Sequence, residues 1–411
     1  MLLLGHRFQP SYAQSRSWTL DEMVAYIGAD EWHDNGIWGT GVRVGVLDLG
    51  FQNADQITER IHFPDDVNAA NIINGNQVHG TEILEIMHAI APEADYYLYP
   101  VSPAGDNVRQ AVDWLIEQQV QVVAFAASTL DLPLNGDNVS ARQMDRLADS
   151  GAIVVVSAGN HGRSILSDTF QDTNGDGWHE YTGGYSGWGV TPLQSSRFGQ
   201  AHLRWDDVWG SASIDLDLYI LGADARTVIA ASTDIQNGNN GMLPFEDTFF
   251  NMIAGRQYYV AIRAKDPSQS ISARFYLFVD DAVLSTASME SSIMAPGDSL
   301  QAITVGGLER DGTIYDRSGR GPTWDGRLKP ELVAPSRLIL SERGLTYEFE
   351  GTSAATPVVA GVVVLLRQMM PDATAEDIKT YLYTNARDIV AIGPDNYSGY
   401  GIVSILFPET E

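Results

Sequence analysis

Cysteine is absent from all 411 residues. That removes disulfides, thiolate metal sites and cysteine nucleophiles together, and leaves the redox compartment open. Positive charge is scarce as well, with 25 Lys and Arg against 53 Asp and Glu and a formal charge of −28. A field of that sign repels phosphate backbones and anionic lipid and attracts cations, so nucleic acid is not expected as a partner. Long apolar runs are missing too: none reaches the roughly 18 residues of a membrane-spanning helix, so no membrane span is expected. Met1-Leu2-Leu3-Leu4 is too short for the core of a signal peptide and has no basic residues before it, so the first residues, through Ser11–Ser15, read as a disordered leader. With 44% hydrophobic residues the chain can still bury a large core, and its length suggests two or three domains.

What is present is a series of short apolar runs, several ending at a residue that chemistry can use. Val42-Arg43-Val44-Gly45-Val46-Leu47-Asp48 predicts a buried parallel strand with Asp48 at its C-terminal end, the edge of open α/β sheets where reactive groups collect. Taken alone, a strand-end aspartate serves equally well as a cap or turn residue. His79 opens a stretch, through Ala91, whose apolar positions recur at three and four, which predicts a helix. His88 lies about half a turn round the same helix and reads as structural, and the pair lacks the His-Glu-x-x-His spacing of a zinc protease. Gly351-Thr352-Ser353-Ala354-Ala355-Thr356-Pro357 runs into the apolar stretch Val358–Leu366. This predicts a buried helix with Ser353 at its start, where free N–H groups and the positive helix end stabilise negative charge. Gly351 permits the tight turn, and Pro357 is expected in the first turn, where its missing N–H costs nothing. Strand-end aspartate, helix-start histidine and helix-start serine are the groups that an acyl-transfer triad requires.

The words around these residues resemble the subtilases, the subtilisin-like serine peptidases: Gly-Val-Arg-Val-Gly-Val-Leu-Asp around Asp48, Val-His-Gly-Thr around His79, Ser-Ala-Gly-Asn at Ser157–Asn160 and Gly-Thr-Ser-Ala-Ala-Thr-Pro around Ser353. The resemblance covers about residues 41–165 and 291–405. It implies an α/β fold with a parallel sheet flanked by helices, and a secreted serine endopeptidase acting on protein or peptide. It also implies roles: Ser353 as nucleophile, His79 as base, Asp48 as the group that orients it and Asn160 as oxyanion donor. Ala126, Ala127, Ser128, Ser157, Ala158 and Gly159 then line the pocket for the residue before the cut bond. Three positions depart from the pattern: Leu49 stands where a small hydroxyl residue is usual, Glu82 where many members carry a second histidine, and Ala126-Ala127-Ser128 where Ser-Leu-Gly is commoner. Those departures support a second reading, a catalytically weak binding protein that keeps the subtilase shell.

Between His161 and Glu290 the texture changes to short alternating strands separated by polar loops, which predicts an inserted β-sandwich. Leu203–Asp207, Asp215–Ile220 and Gln257–Val260 resemble the bacterial prepeptidase C-terminal domain. The expected division is 1–40 (leader and packing helix), 41–165 and 291–411 (catalytic), and 166–290 (inserted). Asp172, Asn174 and Asp176 place oxygens at alternate positions before a glycine, as in a calcium loop, although the twelfth position is Gly183 rather than glutamate. Asp215 and Asp217 share one strand face and repel unless a cation lies between them. Structural calcium is the expectation at both places, with a solvated turn and an exposed strand face as the alternatives.

Overall fold

A computed structural model describes residues 16–65, 67–102, 105, 107–130, 132–181, 187–192, 197–268, 271–280, 282–285, 289–342 and 344–406. The leader through Ser15, and Gly183, lie outside the described residues. The chain divides into two units, one formed by the chain up to Ala158 with Ala295–Tyr315 and Pro330 onward, the other by Gly159–Met294 with Asp316–Lys329.

The first unit is built on a seven-stranded sheet whose strand pairs are all parallel, in the spatial order Ile61–His62, Asp95–Pro100, Arg43–Asp48, Val122–Phe125, Ile153–Ser157, Ile303–Leu308, Leu332–Pro335. The inner strands read as unbroken apolar runs because helices or loops cover both faces, and Val44, Val46, Val122, Val155 and Val305 are fully buried. Strand order reverses between Arg43–Asp48 and Val122–Phe125: after Asp95–Pro100 the chain crosses to the other side of Arg43–Asp48. The crevice outside the carboxyl ends of two such strands is where open α/β sheets bind their ligands.

Two helices meet on one face of this sheet. Thr352–Met369 is 18 residues long and buried almost throughout, and it packs against His79–Ile90. Among the described residues Thr352–Met369 is the one helix long and apolar enough to cross a membrane, with mean hydropathy 1.3, but 89% of it is buried in the protein, as befits a core helix. Leu20–Ile27 and Ala29–Asp34 supply the expected amphipathic packing, burying Met23, Val24, Ile27 and Trp32. The first of these is closed by a capping box, in which the Thr19 hydroxyl accepts from the Glu22 N–H and the Glu22 carboxylate accepts from the Thr19 N–H. A small sheet of Trp18–Thr19, Arg337–Glu342 and Leu345–Glu350 leads directly into the long helix.

The second unit has two antiparallel sheets around one core. One holds five strands, in the order Val228–Ser232, Leu216–Leu221, Tyr258–Ala264, Trp188–Pro192, Ala282–Leu284; the other holds four, Phe245–Met252, Arg197–Trp205, Arg274–Val279, Ile165–Thr169. Trp205, Leu218, Ile262, Phe275 and Leu277 fill the space between them. The sequence boundaries of 166 and 290 are too narrow. Strand Ile165–Thr169 pairs with Arg274–Val279, and Asp316–Lys329 is also part of this unit: Gly162 N–H donates to Arg317 O at 2.9 Å, and the Arg274 guanidinium lies 3.9 Å from the Trp324 ring centroid.

Candidate active site

Asp48 is the last residue of its strand and has no exposed surface. Its Oδ1 accepts from the Leu49 N–H and from His79 Nδ1, both at 2.7 Å. Its Oδ2 is buried with no hydrogen-bond partner. Leu49 offers no hydroxyl to that oxygen, so the departure noted at this position coincides with an orphaned acceptor. His79 is the first residue of its helix, and Gly80 lets that helix start close under the strand-end loop: Gly80 N–H donates to Gly50 O at 2.9 Å, and a Cβ at Gly80 would lie 2.5 Å from that oxygen. The ring of Phe349 meets the imidazole edge-on, with centroids 5.5 Å apart, and so helps to fix its plane. Phe349 has no sequence signal of its own beyond its place four residues before Ser353.

Burial works against the imidazolium of His79, but the Asp48 charge and hydrogen bond, with a further contribution from Glu82, outweigh it and hold the ring above the ordinary histidine value. The Nδ1 contact to Asp48 favours the tautomer with the proton on Nδ1, leaving Nε2 with its lone pair. Glu82 and Glu85 line a cavity of about 130 Å³ with Gln52, Asn53, Val78 and Ser341. Burial first, and then the neighbouring Glu82, push Glu85 upward. His88 is pushed down by burial.

Ser353 is the second residue of its helix and is 7% exposed. Its Oγ donates to Ala126 O at 3.2 Å, immediately beyond strand Val122–Phe125 and so at the strand-order reversal where Asp48 also ends. The helix is preceded by Gly351 at φ 110°, ψ −176°, a backbone that only glycine adopts readily. One local expectation needs correction. Pro357 is the sixth helical residue rather than a first-turn residue, so it withholds the N–H that the Ser353 carbonyl would otherwise receive. The Thr356 hydroxyl bonds back to Thr352 O at 2.8 Å in the same turn.

Of the expected pocket residues, Ala126, Ser157 and Ala158 are buried, with Ala158 N–H donating to Val305 O, while Ala127 and Ser128 are half-buried. Gly159 turns the chain at φ 91°, and Asn160 follows it at the start of the second unit. The Asp172 loop is complete as a turn: Asp172 Oδ1 accepts from Gly175 and Asp176, its Oδ2 from Gly177, Asn174 Oδ1 from Asp176 and Asp176 Oδ1 from Trp178. Asp215 precedes strand Leu216–Leu221 and Asp217 lies within it, buried.

Comparison with known proteins finds similar sequences and a similar fold. Residues 278–401 match the subtilase family, Peptidase_S8, a span that includes Ser353 but neither Asp48 nor His79. The serine protease AprX of Bacillus subtilis is 33% identical over 136 residues, which is 28% of this chain and 30% of AprX. The minor extracellular protease Vpr of the same organism is 22% identical over 451 aligned residues, covering 94% of this chain and 54% of Vpr. The chain thus spans about half or less of the length of these relatives. Among solved structures, the CspB protease of Clostridium perfringens superposes with a TM-score of 0.68 over 93% of this chain and 97% of that one, at 17% identity. The parallel sheet with its flanking helices is therefore a subtilisin-like fold, and the chain is similar in sequence to subtilases over residues 278–401.

Proposed function

We propose that the protein is a serine endopeptidase that cleaves peptide bonds through an acyl-enzyme, with Asp48, His79 and Ser353 as its triad. The observation that carries this reading is the 2.7 Å bond from His79 Nδ1 to a fully buried Asp48 at the strand-order reversal, where Ser353 also bonds to the residue that follows the adjacent strand. Ser353 Oγ attacks the carbonyl carbon as His79 Nε2 takes its proton, and the imidazolium then returns that proton to the leaving amine. Asp48 stays ionised and stabilises the imidazolium. Water repeats the sequence to release the acyl group. The Ser353 N–H, at the start of a long buried helix, meets the developing oxyanion, with Asn160 as the side-chain donor that the family resemblance assigns. Ala126, Ala127, Ser128, Ser157, Ala158 and Gly159 flank the substrate residue before the cut bond on the same ground. Secretion is supported by the relative Vpr, which is an extracellular protease.

The second reading, a subtilase shell used for binding, is favoured by one observation: Ser353 Oγ donates to a backbone carbonyl rather than to His79. Moving the proton to His79 requires Ser353 to give up that bond, which substrate binding must then select. A fluorophosphonate probe separates the two readings. Covalent labelling of the wild-type chain and none of Ser353→Ala establishes an activated serine; folded wild-type protein that takes no label turns the assignment towards binding.

A further inference from the structure

The five-stranded sheet of the second unit carries a cavity on the face turned away from the four-stranded sheet. Leu216, Leu218 and Ile220 of one strand, and Tyr258, Val260 and Ile262 of its neighbour, belong to the core between the sheets. Side chains alternate along a strand, so Leu221, Tyr259 and Ala261 lie on the outer face, where Leu221 and Tyr259 are cross-strand partners. With Trp178, Gly187, Ala225, Arg226 and Val228 they line a cavity of about 650 Å³, a size within the roughly 300–1,000 Å³ usual for small-molecule sites. Ala261 and Gly187 bring no side chain larger than a methyl group to this lining, and a Cβ at Gly187 would lie 3.3 Å from Tyr259 Cβ.

The surrounding chain holds these groups in place. Trp178 leaves the Asp172 turn with its N–H donating to Asp176 Oδ1 at 2.9 Å. Its ring is braced by Tyr219, with centroids 5.0 Å apart, and by the Arg263 guanidinium, 5.3 Å from the Trp178 centroid. Tyr219 in turn donates to Asp217 at 3.1 Å. The turn at 222–227 is closed by Gly222 N–H to Thr227 O at 2.8 Å, with Ala225 at φ 52°, and it carries Arg226 to the cavity. Asp224 is the neighbouring carboxylate, but it is occupied by the Arg226 and Thr227 N–H groups and the Thr227 hydroxyl. Among the described residues the Arg226 guanidinium has no hydrogen-bond or ion-pair partner, and neither the Tyr259 hydroxyl nor the Trp178 indole N–H has one.

We propose that this cavity binds a small apolar carboxylate, an aromatic or aliphatic body that ends in a single carboxylate group. Trp178, Leu221, Val228 and Tyr259 supply apolar surface, and the polar groups left over can all donate: a guanidinium, an indole N–H and a phenol O–H. A ligand that satisfies them must bring acceptors. Arg226 is the one charged residue in the lining, so a single negative charge balances it, and a carboxylate fits the guanidinium fork with two parallel hydrogen bonds. A phosphate group, with close to two charges and three acceptor oxygens, would leave charge unmatched against a lone cation. The formal charge of −28 provides no general field that attracts anions, so affinity must come from the cavity itself. Two sources share this chemistry: the free C-terminal end of a peptide whose last residue is apolar, and a fatty acid.

The test uses the full chain with Ser353→Ala, so that no peptide probe is cut. Phenylacetate and its uncharged counterpart phenylacetamide are titrated calorimetrically, followed by the peptide Gly-Gly-Phe with a free and with an amidated C-terminus, and by decanoate. We expect saturable heat from phenylacetate and binding of the amide weaker by about tenfold or more. Arg226→Gln, at an exposed position, should abolish that preference and leave the melting midpoint unchanged, while Trp178→Ala should weaken both probes. Tighter binding of free-ended Gly-Gly-Phe than of decanoate supports the site as one for peptide termini, and the reverse order supports it as one for fatty acids. The proposal is overturned if the folded protein gives no heat with any of the carboxylates at millimolar concentration, if the amides bind as well as the acids, or if Arg226→Gln keeps the full preference.

Discussion

Glu82 stands one turn beyond His79 on the same helix, 8% exposed, and its negative charge adds to that of Asp48 in favouring the imidazolium. The free base is the active form, so a raised histidine value moves the acid limb of the rate profile towards higher pH. Glu82→Gln removes one of the contributions that raise it; Asp48 remains in contact with the ring, and Glu85 lies further along the same helix. The expected outcome is an acid limb displaced to lower pH in kcat/KM, with the plateau changed little. An unmoved limb in a folded variant shows that the Glu82 charge is screened from the ring. Much of this site was legible in the chain. Asp48, His79 and Ser353 each sit where a local pattern changes, at the end of an apolar run or the start of a helical one, and Leu49 announced a missing donor to the carboxylate. The bond from Ser353 to Ala126 was not legible, because it joins residues 227 positions apart and depends on a rotamer.

At the scale of elements, the relation between the histidine and serine helices depends on Gly361. A Cβ built there would lie 2.9 Å from Ile90 Cβ and Cδ1 and 3.0 Å from Cγ2. Ile90 Cβ is tied to its own backbone, so the helices themselves must move apart. Gly361→Ala should therefore cost about 1–3 kcal/mol, even though alanine is the better helix former, read as a lower denaturation midpoint at an unchanged slope. Because Thr352–Met369 carries Ser353 and His79–Ile90 carries the base, kcat should fall with it while KM changes less. A neutral or stabilising Gly361→Ala would mean that the interface absorbs a methyl group without displacement. The elements predicted most clearly were those with strong periods: the buried parallel strands and the long apolar helix. Ile165–Thr169, Trp188–Pro192 and Ala282–Leu284 gave no such signal. The first ends in three polar residues, the second contains glycine and proline, and the third is three residues long. Such strands exist through pairing with partners distant in the chain rather than through propensity.

For the whole molecule, the decisive feature is that the chain passes between its two units four times, after Ala158, Met294, Tyr315 and Lys329. Asp316–Lys329 falls within the stretch 291–411 expected to be catalytic, yet it belongs to the other unit, and only tertiary contacts reveal this. Ser318, Thr323 and Lys329 are buried, Gly319 N–H donates to Gly159 O at 2.8 Å, and Ser291 and Ser292 N–H groups donate to Gly321 and Arg320 carbonyls. The Trp324 ring is covered by both Arg274 and Arg204. Residues 159–294 are therefore not a cassette that can be lifted out at two cuts. Replacing them with a short linker strips Asp316–Lys329 of those partners and leaves four basic residues, Arg317, Arg320, Arg327 and Lys329, on an unsupported stretch. Limited trypsin digestion should nick the shortened chain first within 316–329, while the intact chain, in the Ser353→Ala background, resists at those same bonds. A shortened chain that resists there as well would show that Asp316–Lys329 folds without the second unit, and that the catalytic sequence supports it alone.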